Sequence, residues 1–335
     1  MRKHVWAALC GALMAACGGG GGGGPTMVAA TMGVNSANQD AVARTSASAM
    51  GSIASAGTGV TASSGGAGVA SLPGASRQVA LALTSTRKAT LAAGRAGPLA
   101  TRSETAPCAF SGTVTVTVND ANNNNQGDAG DSLTFTFTNC KVTAADNANG
   151  SIAITLSSFA ATPVGANFAG TMTLNLVATE GTRTATLAGT VAANFTDLTT
   201  TQSRTSLTIG AGGLTGSVTA GGTTETITYE NGFALSETET IDGNGNPLST
   251  STTVSGAISS SVLAGRIVLE TTTPIVHLAA DAYPGSGVLR ATGTSGSALR
   301  VTALNNTQVQ LDLDADGNGT YEASKTVLWT TVLPG

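Results

Sequence analysis

The segment Thr113-Val114-Thr115-Val116-Thr117-Val118 decides the fold of this 335-residue chain. Threonine and valine alternate in it without a break, and successive side chains of a β-strand point to opposite faces of a sheet. A period of two in β-branched residues predicts a strand with a buried valine face and an exposed threonine face. The segment Leu133-Thr134-Phe135-Thr136-Phe137 repeats the pattern, so the two segments predict a β-hairpin.

The same alternation recurs to the C-terminus, with turn-forming residues between its repeats. The repeats are Ile152/Ile154/Leu156, Phe168/Met172/Leu174/Leu176, Leu187/Val191/Phe195, Leu207/Ile209, Leu214/Val218, Ile227/Tyr229, Ile267/Leu269, Leu299/Val301 and Val309/Leu311/Leu313. The turn signals are Asn149-Gly150, Gly221-Gly222, Asn231-Gly232, Asp242-Gly243-Asn244-Gly245 and Asn318-Gly319. Short strands at near-regular spacing predict one all-β domain over residues 106–335, an antiparallel meander closed as a barrel or folded as a sandwich.

The first residues predict export. Arg2 and Lys3 precede an apolar run from Val5 to Ala16 that is too short to span a bilayer, which is the arrangement of a secretory signal. The run ends in Met14-Ala15-Ala16-Cys17, and seven glycines follow the cysteine. This leader resembles that of the bacterial lipoprotein family, whose processing motif is an apolar residue, two small residues and a cysteine. Met14 stands where that family usually has leucine.

The resemblance covers the leader alone and implies how the chain is held in the cell envelope. Residues 1–16 would be removed, and Cys17 would become a lipidated N-terminus with the membrane as its partner. Three acyl chains anchor a protein far more firmly than a single chain, which binds only marginally. Gly18, rather than aspartate, implies export to the outer membrane, with a periplasmic or a surface-facing position left open. An ordinary cleaved signal with an incidental cysteine is the alternative.

Residues 17–105 are predicted to be a flexible linker, because they are rich in Gly, Ala, Ser and Thr. Within them, residues 18–75 bury too little apolar surface to offset the entropy of ordering, so disorder is expected. Residues 41–54 are expected to form a transient helix at most, since Gly51 and many Ser and Thr residues disfavour it. Residues 76–93 are a candidate helix, with an incidental Ala-rich linker as the alternative. As a coil, the linker would hold the β-domain roughly 50 Å from the lipid on average.

The charge balance excludes one class of partner. Residues 106–335 carry seven basic and seventeen acidic side chains, which gives a net charge of −10. Affinity for nucleic acid depends on Lys and Arg that neutralise phosphates. No nucleic-acid partner is therefore expected, and a protein or glycan partner stays open.

The loop from Asp120 to Asp131 is a candidate Ca²⁺ site. Oxygen-bearing side chains fall at loop positions 1, 3, 5, 7, 9 and 12, the spacing with which an EF-hand loop wraps Ca²⁺. These side chains are Asp120, Asn122, Asn124, Gln126, Asp128 and Asp131. Asn125 replaces the sixth-position glycine, and predicted strands rather than helices flank the loop, so a calcium-loop analogue is predicted and not an EF-hand. A solvated hairpin tip is the alternative.

A second loop is the weaker metal candidate. Its oxygens come from Asp312, Asp314, Asp316 and Asn318. Ala323 stands where the closing acid should be, and Glu322 comes one residue early. The alternative is a plain turn at Asn318-Gly319, with Asp312 and Asp314 on the outward face of a strand.

Cys108 and Cys140 are the two cysteines left once Cys10 leaves with the leader and Cys17 carries lipid. In an oxidising envelope they are predicted to form a disulfide. Side chains an even number of positions apart lie on the same face of a strand, but Phe137 and Cys140 are three positions apart. They can share a face only if one extra residue is inserted between them. The parity therefore predicts a β-bulge at Thr138-Asn139.

Catalysis finds little support in the sequence, so no enzyme is predicted. His277 is the single histidine of the processed chain, and there is no phosphate-binding loop and no Cys/His zinc cluster. The function that we expect is that of an envelope lipoprotein with a structural or binding role. A carrier of an apolar ligand is the alternative, with Met172, Leu174, Phe195 and Tyr229 lining its cavity. An enzyme comes third and would need acids clustered around His277.

Overall fold

The computed structural model describes residues 28–54, 102–108, 110–124, 127–141, 144, 146–180, 183–220, 222–243 and 247–333. Within them, fifteen strands form one antiparallel sheet. The all-β prediction is confirmed, because almost every strand pairs with the next one along the chain, as in a meander.

Two α-helices accompany the described strands, α1 (Gln39–Ala54) and the single turn α2 (Trp329–Val332), and a 3₁₀ turn spans Thr294–Gly296. The strands are β1 (Arg102–Pro107), β2 (Ser111–Asn119), β3 (Ser132–Lys141), β4 (Asp146–Thr162), β5 (Gly165–Glu180), β6 (Arg183–Thr199), β7 (Gln202–Ala220), β8 (Thr223–Tyr229), β9 (Ala234–Ile241), β10 (Pro247–Ser260), β11 (Arg266–Leu278), β12 (Ser286–Thr292), β13 (Ala298–Ala303), β14 (Gln308–Asp314) and β15 (Ala323–Leu328).

The predicted hairpin is the pair β2–β3. Val114 lies opposite Phe137, Val116 opposite Phe135 and Val118 opposite Leu133. Leu133 is fully buried, but the three valines are only half-buried. The valine face is less covered than the pattern predicts, and β2 lies near the edge of the sheet, next to the short strand β1.

Strands β8 and β9 together fill one strand position. Each is antiparallel to both β7 and β10, so the two run in the same direction, end to end. Residues 230–233 bulge out between them, and the amide of Phe233 donates to the carbonyl of Glu230 (3.0 Å). Phe233 is buried there against Tyr229, with ring centroids 5.1 Å apart.

Helix α1 belongs to the folded core, so the expectation of disorder over residues 18–75 is wrong for residues 39–54. Val42, Ala43 and Ala49 on this helix are completely buried. The side chain of Asn35 accepts hydrogen bonds from the amides of Ala37 and Asn38 just before the helix, which satisfies donors at its N-terminus. Tertiary packing, rather than helix propensity, stabilises most helices in proteins.

The sheet holds α1 by polar contacts as well as by packing. Tyr229 on β8 donates its hydroxyl to the carbonyl of Ala49 (2.8 Å). The hydroxyl of Thr45 donates to the carboxylate of Glu225, also on β8 (2.8 Å). The helix also contacts α2, β10, β12 and β13. The C-terminal strands therefore enclose a helix that precedes them all in the sequence.

Residues 29–34 bind at one end of the interior strands β11 and β12. The amide of Thr31 donates to the carbonyl of Arg266 (3.0 Å), and the amide of Thr294 donates to the carbonyl of Met32 (2.7 Å). We call this end of the strands, formed by the connections 261–265, 293–297 and 315–322, the entry end. The connections 279–285 and 304–307 form the opposite end.

Candidate functional site

The best-gathered set of carboxylates lies in the loop between β14 and β15. One oxygen each from Asp314, Asp316 and Glu322 fall within 4.8 Å of one another, and in the described part of the chain no other three His, Cys, Asp or Glu residues converge in this way. Oxygen donors of this kind suit a hard cation such as Ca²⁺. Glu322, one residue early in the sequence pattern, supplies the third carboxylate.

The loop is held in shape by its own amides. Asp314 accepts hydrogen bonds from the amides of Gly317 (2.7 Å) and Gly319 (2.9 Å), and it is only 2% exposed. Both glycines have positive φ angles. A Cβ on Gly317 would also meet the carbonyl of Ser295, so a side chain there would push the loop away from the neighbouring turn.

Asp312 does not join this cluster. Its carboxylate forms an ion pair with Arg300 (2.8 Å) and accepts a hydrogen bond from the side-chain amide of Gln310 (2.8 Å). Burial alone would raise the pKa of Asp312, but hydrogen bonds from Gln310, Ser324 and Arg300 hold it below its usual value. Asp312 and Asp314 are each 2% exposed, so the outward face of β14 on which the sequence predicts them is covered by other groups rather than open to solvent. The Arg300 side chain, itself stacked on Tyr321, pairs with Asp312 on the face opposite Leu311 and Leu313.

Within the first candidate loop, the described carboxylates bind the loop's own amides. Asp131 is buried and accepts from the amides of Ala121 (2.9 Å) and Asp128 (2.9 Å). The Asp128 Oδ2 atom accepts from the side chains of Asn122 and Asn124, while its Oδ1 atom is buried without a hydrogen-bond partner.

Asp120 is also buried and accepts a hydrogen bond from the amide of Asn124 (3.3 Å). Gln126 lies outside the described residues. Carboxylates brace both loops through loop amides, but among the described residues only Asp314, Asp316 and Glu322 converge, so their loop is the stronger cation candidate.

Cys108 and Cys140 form the expected disulfide, with their Cα atoms 5.5 Å apart. The predicted bulge is confirmed, since the β3–β4 register shifts between Phe137 and Cys140 and Asn139 has a positive φ of 46°. Cys108 precedes β2 in the turn that follows β1. A bridge across 32 positions stabilises a domain by about 3–4 kcal/mol in the chain-entropy model.

A buried glutamate on β9 is a polar site that the sequence patterns did not reveal. Glu237 is 6% exposed and lies between Thr205 on β7 and Thr252 on β10, both also buried. Burial raises the pKa of Glu237 to about 8, and the neighbouring charge of Glu239 adds to the rise. The hydroxyl of Thr252 donates to its carboxylate (3.2 Å) and acts in the opposite direction. Glu237 is therefore largely protonated at neutral pH.

A second row of polar side chains lies beside Glu237, two residues nearer to the opposite end of the sheet. Across neighbouring strands this row runs Asp197, Ser203, Glu239, Thr250, His277. All but Ser203 are half-buried. The Nε2 atom of His277 donates a hydrogen bond to the backbone carbonyl of Asp281 (2.8 Å). Glu239 lies two strands from His277, so the two share a face without adjoining.

The four residues proposed to line a ligand cavity are packed into the core. Met172, Leu174, Phe195 and Tyr229 are all at most 2% exposed. Phe195 stacks on Phe168, with centroids 5.3 Å apart. A shallow groove of about 230 Å³ lies against Phe195, between the polar side chains of Asn167, Asn194 and Thr196.

Several predictions concern residues outside the described ranges. These are the leader, the lipidated Cys17 and the candidate helix over residues 76–93. Neither described helix has the length and hydrophobicity needed to span a bilayer.

No known protein family, curated protein or solved structure matches this chain.

Proposed function

We propose that this chain is an outer-membrane lipoprotein, anchored through Cys17, whose β-sheet domain serves as a structural or binding module of the cell envelope. The observation that carries the anchor is the run Met14-Ala15-Ala16-Cys17 followed by seven glycines. The disulfide between Cys108 and Cys140 supports delivery to an oxidising compartment, because such bonds persist in exported proteins and are rare in the cytosol.

The packing of the core favours the structural or binding role over the carrier. A carrier needs a cleft or cavity of some hundreds of Å³ lined by apolar side chains. Here Met172, Leu174 and Tyr229 contact other core residues, and the Tyr229 hydroxyl binds the backbone of α1. Helix α1 thus occupies space on the inward face that a ligand would otherwise need.

Metabolic labelling with a fatty acid tests the anchor. The wild-type protein should incorporate the label and fractionate with membranes, whereas Cys17→Ser should do neither. The matched control is Cys108→Ser/Cys140→Ser, which keeps Cys17 and should be labelled as strongly as the wild type. Equal labelling of the wild type and Cys17→Ser would refute the proposal.

Binding of a divalent cation by the β14–β15 loop is the second candidate function. The convergence of Asp314, Asp316 and Glu322 within 4.8 Å favours it. The acidic net charge of residues 106–335 adds a field that attracts cations. Extracellular Ca²⁺ sites of this kind bind in the range of about 10⁻⁴–10⁻³ M.

A further inference from the structure

Residues 28–54 belong to the folded body. The segment between the anchor and the sheet is therefore much shorter than the linker over residues 17–105 that the sequence predicts. Val28 follows Cys17 by eleven positions, and Thr31 is already bonded to the first residue of β11, Arg266. Eleven residues span at most about 40 Å when fully extended. Residues 55–101 then connect α1 to β1 and add nothing to the reach of the anchor.

The point at which the chain enters the sheet is fixed by several contacts. The Arg266 amide donates to the Thr31 hydroxyl (2.9 Å), and its guanidinium donates to the carbonyl of Ala29 (3.2 Å). The amide of Val34 donates to the hydroxyl of buried Ser297 (2.9 Å). These bonds join residues 29–34 to the first residue of β11 and to the connection 293–297, so the segment cannot move to the opposite end of the strands without breaking them.

We infer that the entry end of the sheet faces the lipid surface and that the opposite end points away from it. The inference rests on the proposed anchor at Cys17. Strand β11, with thirteen residues, is roughly 40 Å long, so the entry and opposite ends are separated by about that distance. With the opposite end on the membrane, the eleven positions after Cys17 would have to be fully extended, which removes all of their conformational freedom.

The surface turned to the lipid is the set of entry-end connections. Val262, at the tip of the β10–β11 connection, is 47% exposed, the 293–297 connection is small and polar, and the 315–322 connection carries the exposed carboxylates of Asp316 and Glu322. Such a surface rests against headgroups rather than inserting into the acyl region. The polar row that contains Glu239 and His277 lies toward the opposite end and stays accessible to soluble partners.

Energy transfer to the membrane surface tests this orientation. Val262→Trp and Leu278→Trp place a fluorescent donor at the two ends of the same strand pair, at positions of matched character, because the native side chains are 47% and 50% exposed. The full lipidated chain is reconstituted into phosphatidylethanolamine/phosphatidylglycerol vesicles that carry a dansyl headgroup acceptor. Trp329 is buried and common to both variants, so it contributes the same background.

Transfer from Val262→Trp should be several-fold more efficient than transfer from Leu278→Trp, and the difference should vanish in detergent. Equal transfer from both, or stronger transfer from Leu278→Trp, in vesicle-bound protein would overturn the orientation while leaving the anchor in place. If neither variant carries lipid by mass or associates with vesicles, the anchor itself is wrong and the orientation falls with it.

Discussion

Glu237 and Thr252 lie directly opposite each other on β9 and β10, and the threonine hydroxyl donates a 3.2 Å hydrogen bond to a carboxyl group that burial keeps protonated. On the neighbouring strands the carboxyl group is flanked by neutral side chains, Thr205 on one side and Ile275 beyond Thr252 on the other. Ionisation of this group therefore opposes the folded state.

Folding stability should decrease as the pH rises. The pKa of Glu237 is raised from 4.5 to about 8 in the folded protein, so between these values the folded state binds a proton that the unfolded state does not. The free energy of unfolding should then fall by about 1.4 kcal/mol per pH unit from pH 4.5 to pH 8 on account of this group. This loss of stability is complete above the pKa of Glu237 in the folded state and absent below its pKa in the unfolded state.

Urea unfolding from pH 5 to pH 9 measures this effect, with pH values chosen to bracket the raised pKa of Glu237. Glu237→Gln keeps the shape and the hydrogen bond and should flatten the dependence. Glu270→Gln, at an exposed position on β11, should leave the slope as it is in the wild type. A wild-type slope retained by Glu237→Gln would show that other groups set the pH dependence.

Helix α1 should be required for stability. Val42→Asp introduces a charge at a completely buried position and should lower the free energy of unfolding by about 3 kcal/mol or more. Arg44→Asp, two positions on, introduces the same residue at an exposed position and should change it by no more than about 0.5 kcal/mol. Thermal unfolding followed by circular dichroism compares the two. Equal melting temperatures would mean that the helix is not part of the cooperative unit.

Gly256 should be hard to replace, because it permits the close approach of Phe233 in the bulge between β8 and β9. Its φ is +127°, and a Cβ would lie 2.5 Å from the Cα of Phe233. Gly256→Ala should cost at least about 2 kcal/mol through backbone strain and the steric clash. Gly285→Ala, where a Cβ meets nothing within 4 Å, is the control and should be close to neutral. Denaturant midpoints that shift equally in both variants would argue against this role for Gly256.

Calcium binding should depend on the β14–β15 loop rather than on the β2–β3 loop. Titration calorimetry of the wild type with Ca²⁺ should give a binding heat that Asp316→Asn/Glu322→Gln abolishes, since only Asp314 of the gathered carboxylates then remains. The matched variant Asp120→Asn/Asp128→Asn should keep that heat. Loss of the heat in the second variant instead would move the site to the first loop. If the wild type gives no heat at about 10⁻² M Ca²⁺, ten times the weakest dissociation constant expected for such sites, a calcium site in either loop is excluded.

Much of the sheet could be predicted because its strands alternate strongly. Ile152, Ile154 and Leu156 point inward from β4 as the pattern predicts, and all three are buried. Strand β10 could not be recognised in the same way, because its inward positions include Thr252 and Gly256, which carry little hydrophobic signal. Pairing with strands on both sides determines its conformation instead.

The candidate sites were predictable only in part, and for a related reason. Spacing identified both acidic loops, but it ranked them by an EF-hand pattern that neither follows. Glu322 joins Asp314 and Asp316 because β15 pairs back along β14, a contact that linear spacing does not contain. The sequence pattern does not reveal Glu237. It lies on the same face of β9 as Leu235 and Ile241, and a glutamate there interrupts the run of apolar residues that marks an inward face.

The order of events during folding follows from the partners of α1. Its contacts with Tyr229 and with Lys325 of β15 span 180 and 285 positions of the chain. Contacts so distant in sequence are closed late and make folding slow. Of the described part of the chain, helix α1 is synthesised first, and it has nothing to pack against until β8 and the later strands have followed it. We expect a chain truncated before β8 to leave α1 open to proteolysis, because all of the strands that cover the helix would then be missing.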